Sequence, residues 1–165
     1  MTNYICINGN KTELTEEQLK QLGIELPKVN PFERHKGYHD SYYYIGSDGD
    51  AYIEYDDNGE YNDCHFDVAN YCTDKAILEQ RALHETLNRL LWRYSMEHDG
   101  DKIDWQIASK GKWYTYYNNH LKKWCVGNAY TYWDCGVFFY SAPTAQNAIE
   151  EIIKPFMAAH PEFKF

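Results

Sequence analysis

Lysine and arginine are missing from the whole stretch between Gly37 and Asp74. The same stretch carries ten acids: Asp40, Asp48, Asp50, Glu54, Asp56, Asp57, Glu60, Asp63, Asp67 and Asp74. The 165-residue chain has a net charge of −9, so this one run accounts for its negative balance. Such a balance argues against general affinity for nucleic-acid phosphates or anionic membranes, which clustered cations attract. Long apolar runs are also missing: no segment approaches the ~20 apolar residues of a membrane span. The leading MTNYICINGNKTEL has neither a basic start nor a useful apolar stretch, so a cytoplasmic protein is expected. Cysteines are few and odd in number (Cys6, Cys64, Cys72, Cys125, Cys135), without Cys-x-x-Cys spacing. Free thiols in a reducing compartment fit this pattern, not a disulfide framework or a zinc pair. G-x-x-x-x-G-K-[ST], G-x-G-x-x-G, G-x-S-x-G and H-E-x-x-H do not occur. No catalytic residue, cofactor or metal is expected.

What is present is aromatic. Hydrophobic residues make up 44% and aromatics 17%, a composition that folds despite the charge. The acidic run contains Tyr38, Tyr42, Tyr43, Tyr44, Tyr52, Tyr55, Tyr61 and Tyr71. Tyrosines among carboxylates suit a recognition surface for a cationic protein.

Periodicity predicts an α+β fold of antiparallel sheet, with helices packed on one face and a short helix near the N-terminus. In LTEEQLKQLG, Thr15 and Gln18 form a capping box and Gly23 is the stop. Pro27 and Pro31 make KVNPFER an extended connector. YYYIG and AYIEY then read as a hairpin through SDGD, and HFDVANYC as a third strand. Thr73 caps a long helix whose apolar stripe is Ile77, Leu83, Leu87, Leu90, Leu91 and Tyr94. The order then repeats. DKIDWQIAS, KWYTYY, KKWCVG, AYTYW and CGVFFY read as strands, and Ser141 caps a helix with Ala145, Ala148, Ile149, Ile152, Ile153 and Phe156 on its buried side. The offset of about 68 residues suggests two similar strand–strand–helix halves. The expected organisation is a helix and connector over 1–36, an acidic Tyr-rich half over 37–100 and a Lys/aromatic half over 101–165, forming one compact domain.

Several local patterns carry other chemistry. HKGYHD puts His35, His39 and Asp40 together, but Pro31 and Gly37 oppose the helix a metal pair would need. SDGD and DDNGE are similar to calcium loops yet lack the full ligand run, and turn chemistry explains them. Lys110, Lys112, Lys122 and Lys123 interleave with Trp113 and Trp124, as in a stacking platform for bases.

The strings LGIE, NPFERHKGYHDSYYYI, NYCTDKA and GVFFYSAPTAQNAIEEI resemble a group of small accessory proteins encoded by phages and prophages of gut bacteria. Cys72 stands where that pattern more often has Phe, and Ala76 where it prefers an acid. The motifs are a strand entry and two helix caps, with no catalytic residue among them. The context the resemblance implies is a mobile-element protein inside a bacterial cell, hence a host-directed or anti-defence, anti-CRISPR-like inhibitor. The expected partner is a cationic host protein, such as a nucleic-acid-binding defence protein, with no direct binding of nucleic acid. Its contacts would be Asp48, Asp50, Tyr52, Glu54, Asp56, Asp57, Glu60 and Asp63, with Tyr52, Glu54 and Asp56 outward and Ala51, Ile53 and Tyr55 toward the helices. Two alternatives stand beside this: a small-ligand or nucleotide site on Lys110, Lys112, Trp113, Lys122, Lys123 and Trp124, and a virion or assembly role.

Overall fold

The computed structural model describes residues 4–7, 10–23, 30–34, 40–131 and 136–164. His35 and His39 lie outside them. The chain divides into two compact units, 1–33 and 34–165, where one was expected. The first unit opens with a hairpin that periodicity did not foresee, β1 (Tyr4–Ile7) with β2 (Asn10–Glu13). Helix α1 (Glu16–Gln21) follows with the expected punctuation. Thr15 N–H donates to Gln18 Oε1 (2.9 Å), Gln18 N–H donates to Thr15 Oγ1 (3.3 Å), and Gly23 adopts φ 69°. Residues 30–33 form a turn and not an extended connector. Asn30 accepts from Glu33 N–H through its carbonyl and from Phe32 N–H through its side chain, and Pro31 sits at the turn's second position.

The larger unit begins with the expected antiparallel hairpin, β3 (Asp40–Ile45) with β4 (Ala51–Asp56), which pairs Tyr42 with Glu54 and Tyr44 with Tyr52. The third strand expected in HFDVANYC does not form: its first three residues, before a turn, are the end of helix α2 (Glu60–Asp67). Asn62 Oδ1 reaches back to Gly59 N–H (3.2 Å) and starts it. Ala69 at φ 56° stops it, with Ala69 N–H on Phe66 O and Asn70 N–H on His65 O, a Schellman closure that normally uses glycine. That hidden stop is why the segment reads as a strand. Only Cys72 pairs as strand, exchanging backbone bonds with Tyr43.

Helix α3 (Lys75–Glu97) is capped by Asp74, not Thr73: the Asp74 carboxylate accepts from Ala76 and Ile77 N–H. The cap moves the buried stripe by one position at its start. Leu78 and Ala82 are buried, Ile77 is exposed, and Leu87, Leu91 and Tyr94 are buried as expected. After a 3-10 turn (Gly100–Lys102), the strand expected from Ile103, Trp105 and Ile107 is a series of turns. Asp104 Oδ1 takes Gln106 N–H (2.8 Å), giving the backbone an alternative to a ladder. Strands β5 (Lys112–Asn118), β6 (Lys123–Ala129) and β7 (Phe138–Phe139) then form an antiparallel sheet in the order β6-β5-β7. AYTYW contributes only Ala129 to it among the described residues. Ser141 caps α4 (Ala142–Ala148), accepting from Thr144 N–H (3.3 Å). A π turn (Ile149–Ile153) leads into α5 (Lys154–Ala159), where Pro155 has no N–H to continue the regular ladder.

The architecture is α+β with antiparallel pairing throughout the described strands. Helix α3 is the common spine. Its first half packs Leu78 and Ala82 against Ile45, Cys72, Tyr43 and Ala51. Its second half packs Leu87, Leu91 and Tyr94 against Phe139, Ile149, Ile153 and Phe156, under Trp113, Trp124 and Val126. The sheets therefore share one helix, and no boundary falls at residue 100. The face of β3–β4 opposite α3 is covered by α2, so this hairpin has helices on both sides. Internal duplication is not confirmed. Both parts have a hairpin, a short third strand on its first strand and a capped helix, but no described segment of the second part corresponds to α2.

Candidate functional site

The acidic stretch is organised by an arginine from outside it. Arg34 Nε and Nη2 clasp Asp56 (2.7 and 2.9 Å), and Nη1 pairs with Asp63 on α2. Asp56 is fully buried and also accepts Asn58 N–H (2.9 Å). The guanidinium beside it holds its carboxyl below the usual range, with further help from Asn58 N–H and the Tyr71 hydroxyl. Asp56 is thus a structural anchor and not a partner contact. Position alone does not separate it from its neighbours, but α2 covers its face.

Behind Asp56 lies an aromatic layer between β3 and α2. Tyr42 is fully buried and stacks on Tyr71 at 4.2 Å; its hydroxyl accepts from Asn62 Nδ2 (3.1 Å) and lies 2.8 Å from His65 Nδ1. Tyr44 stacks on His65 at 4.3 Å, and Tyr61 packs edge-on against His65 at 4.4 Å. Burial pushes the His65 ring below its ordinary value, so it is neutral at physiological pH and can accept the Tyr42 proton. Tyr44 is pushed up to about 12 by its hydrogen bond with Tyr61 and by burial. Asn62 was not singled out from sequence, and Tyr71 was expected at a recognition surface, because the roles of Asn62, His65 and Tyr71 depend on α2.

The remaining acids separate by position. Asp48 is held in the turn, accepting from Asp50 N–H (3.2 Å) and the Tyr52 hydroxyl. Glu54 is half-buried and bonds Tyr55 N–H (2.9 Å). Asp57 bonds Gly59 N–H (2.9 Å). Asp50, Glu60 and Asp67 are exposed. Asp48 and Asp50 lie at one end of β4 and Asp57, Glu60 and Asp63 near the other, about 17 Å apart for a six-residue strand. Tyr52, Ile53, Tyr55 and Tyr61 stand between and beside them, 42%, 54%, 58% and 55% exposed. The expected burial of Ile53 and Tyr55 does not occur: they share the side of Ala51 but remain exposed.

The Lys/aromatic set does not converge. Trp113 and Trp124 pack on the core beside Val126. Lys112 is buried, donating to Ile107 O (2.6 Å) and Tyr130 O (3.2 Å), with Trp105 at 5.5 Å. It shares a small cavity of about 190 Å³ with Lys110 and Tyr140. Lys122 and Lys123 lie at the far end of the β5–β6 hairpin. Cys64, Cys72 and Cys125 are free thiols. Among the described residues no group of His, Cys, Asp and Glu is placed to hold a metal, and no helix is long and apolar enough to cross a membrane. Comparison with protein-family models, with curated proteins and with solved structures finds no match.

Proposed function

We propose that this chain is a binding module that presents the β4–α2 surface to a cationic face of a partner protein, as a host-directed inhibitor inside a bacterial cell. The observation that supports the reading is a mixture on one surface: Glu60, Asp63 and Asp67 are exposed beside Tyr61, Phe66 and Val68, the last 67% exposed. Carboxylates supply steering and rigid rings supply contact area, the combination found at protein interfaces. Arg34, the cation that reaches this surface from the preceding segment, is already engaged by Asp56 and Asp63.

The test is capture of a partner from bacterial lysate by the tagged protein, beside the variant Glu60→Gln/Asp67→Asn/Val68→Ser. None of these side chains has a bond the fold depends on among the described residues. Capture is expected to weaken strongly between about 0.05 and 0.5 M salt, where the screening length falls severalfold. The variant is expected to lose the partner while keeping its melting temperature. Equal capture by both proteins rejects the reading.

A further inference from the structure

We infer that the free edge of β4 accepts an extended, cationic segment of a partner protein as an added strand. This rests on the binding role proposed above and assigns the contact to backbone pairing.

The ladder shows which groups are open. Tyr43 N–H and C=O bond Cys72, and Ile45 N–H and C=O bond the Asn70 side chain (2.8 and 2.9 Å), so both residues face away from β4. In an antiparallel pair such residues oppose partners that also point outward. Their partners are Ile53 and Ala51, and the next outward residue is Tyr55. Tyr55 is satisfied within the chain, its N–H by Glu54 and its C=O by Asn62. Ala51 and Ile53 therefore carry two N–H and two C=O groups with no protein partner among the described residues. They are spaced i and i+2, as an incoming strand requires. Ile53 is 54% exposed, which leaves the edge accessible.

Beside this edge lies a groove of about 590 Å³, floored by Ala76 and Leu83 of α3. Its far wall is the segment ending at Lys164, held by Gln80, which donates to Glu162 O (3.0 Å) and accepts from Lys164 N–H (2.9 Å). The carboxylates of Asp50, Glu79 and Glu162 line the groove against Lys164 and His160, the latter paired with Glu162; Asp48 and Glu54 stand along the hairpin, and Lys75 pairs with Glu79. That excess of negative charge selects a cationic occupant. It disfavours a second copy, because a two-fold β4–β4 pairing would set these acids against one another. Side chains alternate along an added strand. One set would meet Ala51, Ile53 and Leu83, and the other Tyr52 and Glu54, so the fitting segment alternates small apolar residues with Lys or Arg.

The probe is an end-blocked seven-residue peptide alternating lysine and valine, beside the same peptide N-methylated on alternate residues to remove its donors. Backbone hydrogen exchange should slow at Ala51 and Ile53 on adding the first peptide and not the second. The N-methylated peptide should weaken binding at least about tenfold, the loss expected for two hydrogen bonds, and the variant Ile53→Pro, which removes one N–H donor, should weaken it about threefold or more. Proline is tolerated at an outward edge position, and the peptide pair decides the matter even if that variant unfolds. Equal binding of the two peptides, unprotected amides or no binding overturns the inference. So does protection that rises with protein concentration alone, which would assign the edge to a second copy. If Ile53→Pro captures the lysate partner normally while the Glu60→Gln/Asp67→Asn/Val68→Ser variant does not, the edge assignment fails and the binding role stands. If neither variant changes capture, the binding role itself fails.

Discussion

Arg34 and His65 carry consequences out of proportion to their number. Asp56 is fully buried and its charge is balanced by one guanidinium, so Arg34→Ala leaves an unpaired charge in the interior. The expected loss is about 3–5 kcal/mol in urea unfolding. Arg34→Lys should recover only part of it, since an ammonium cannot reproduce the two-pronged contact. His65 sets a pH dependence. Its folded value lies below its unfolded one, so the unfolded chain takes up the proton first as pH falls. The stability it contributes is present above about pH 6.5 and is lost as pH drops through the folded value. Melting temperature measured from pH 7.5 to 5 should therefore fall, and His65→Phe should flatten that slope. An unchanged slope would mean that other groups dominate.

Single elements are defined at their ends. Ala69 terminates α2 in the left-handed region at φ 56°, where a side chain is disfavoured. Ala69→Gly is expected to stabilise the fold by about 0.5–1 kcal/mol, because relief of that strain exceeds the added entropy of the unfolded chain. Equal or lower stability in chemical denaturation would show that the turn is not strained. At the start of α3, Asp74 satisfies two orphan N–H groups, so Asp74→Ala should cost about 1 kcal/mol. Both changes report on helix ends whose positions sequence reading placed wrongly or not at all.

Across the whole molecule, self-repulsion follows from a net charge of −9, with ten acids between Gly37 and Asp74. Moderate salt should raise the melting temperature up to about 0.2 M, as screening approaches the spacing of neighbouring carboxylates. The same salt should slow association with a cationic partner, so stability and binding move in opposite directions. A melting temperature that falls over this range would indicate that ion pairs such as Arg34–Asp56 outweigh the repulsion.

The sequence by itself determined the α+β class, the β3–β4 hairpin, the strands β5 and β6, the capping of α1 and α4 and the buried stripe from Ala145 to Phe156. Each rests on neighbours within a few residues, where periodicity and cap chemistry act. It also showed the acidic, tyrosine-rich composition of the stretch between Gly37 and Asp74. Tertiary structure decided what those residues do. Helix α2 ends on an alanine where a glycine would have marked the stop, so its existence was hidden, and with it the burial of Asp56 and the neutral ring of His65. Arg34 meets Asp56 and Asp63 across 22 and 29 positions of chain, which no local pattern encodes. Lys112 and the two tryptophans read as a ligand platform, but Trp113 and Trp124 line the core and Lys112 bonds main-chain carbonyls. The open edge of β4 also depends on long-range pairing. Asn70 and Cys72 occupy the far side of β3, and that contact turns Ala51 and Ile53 outward.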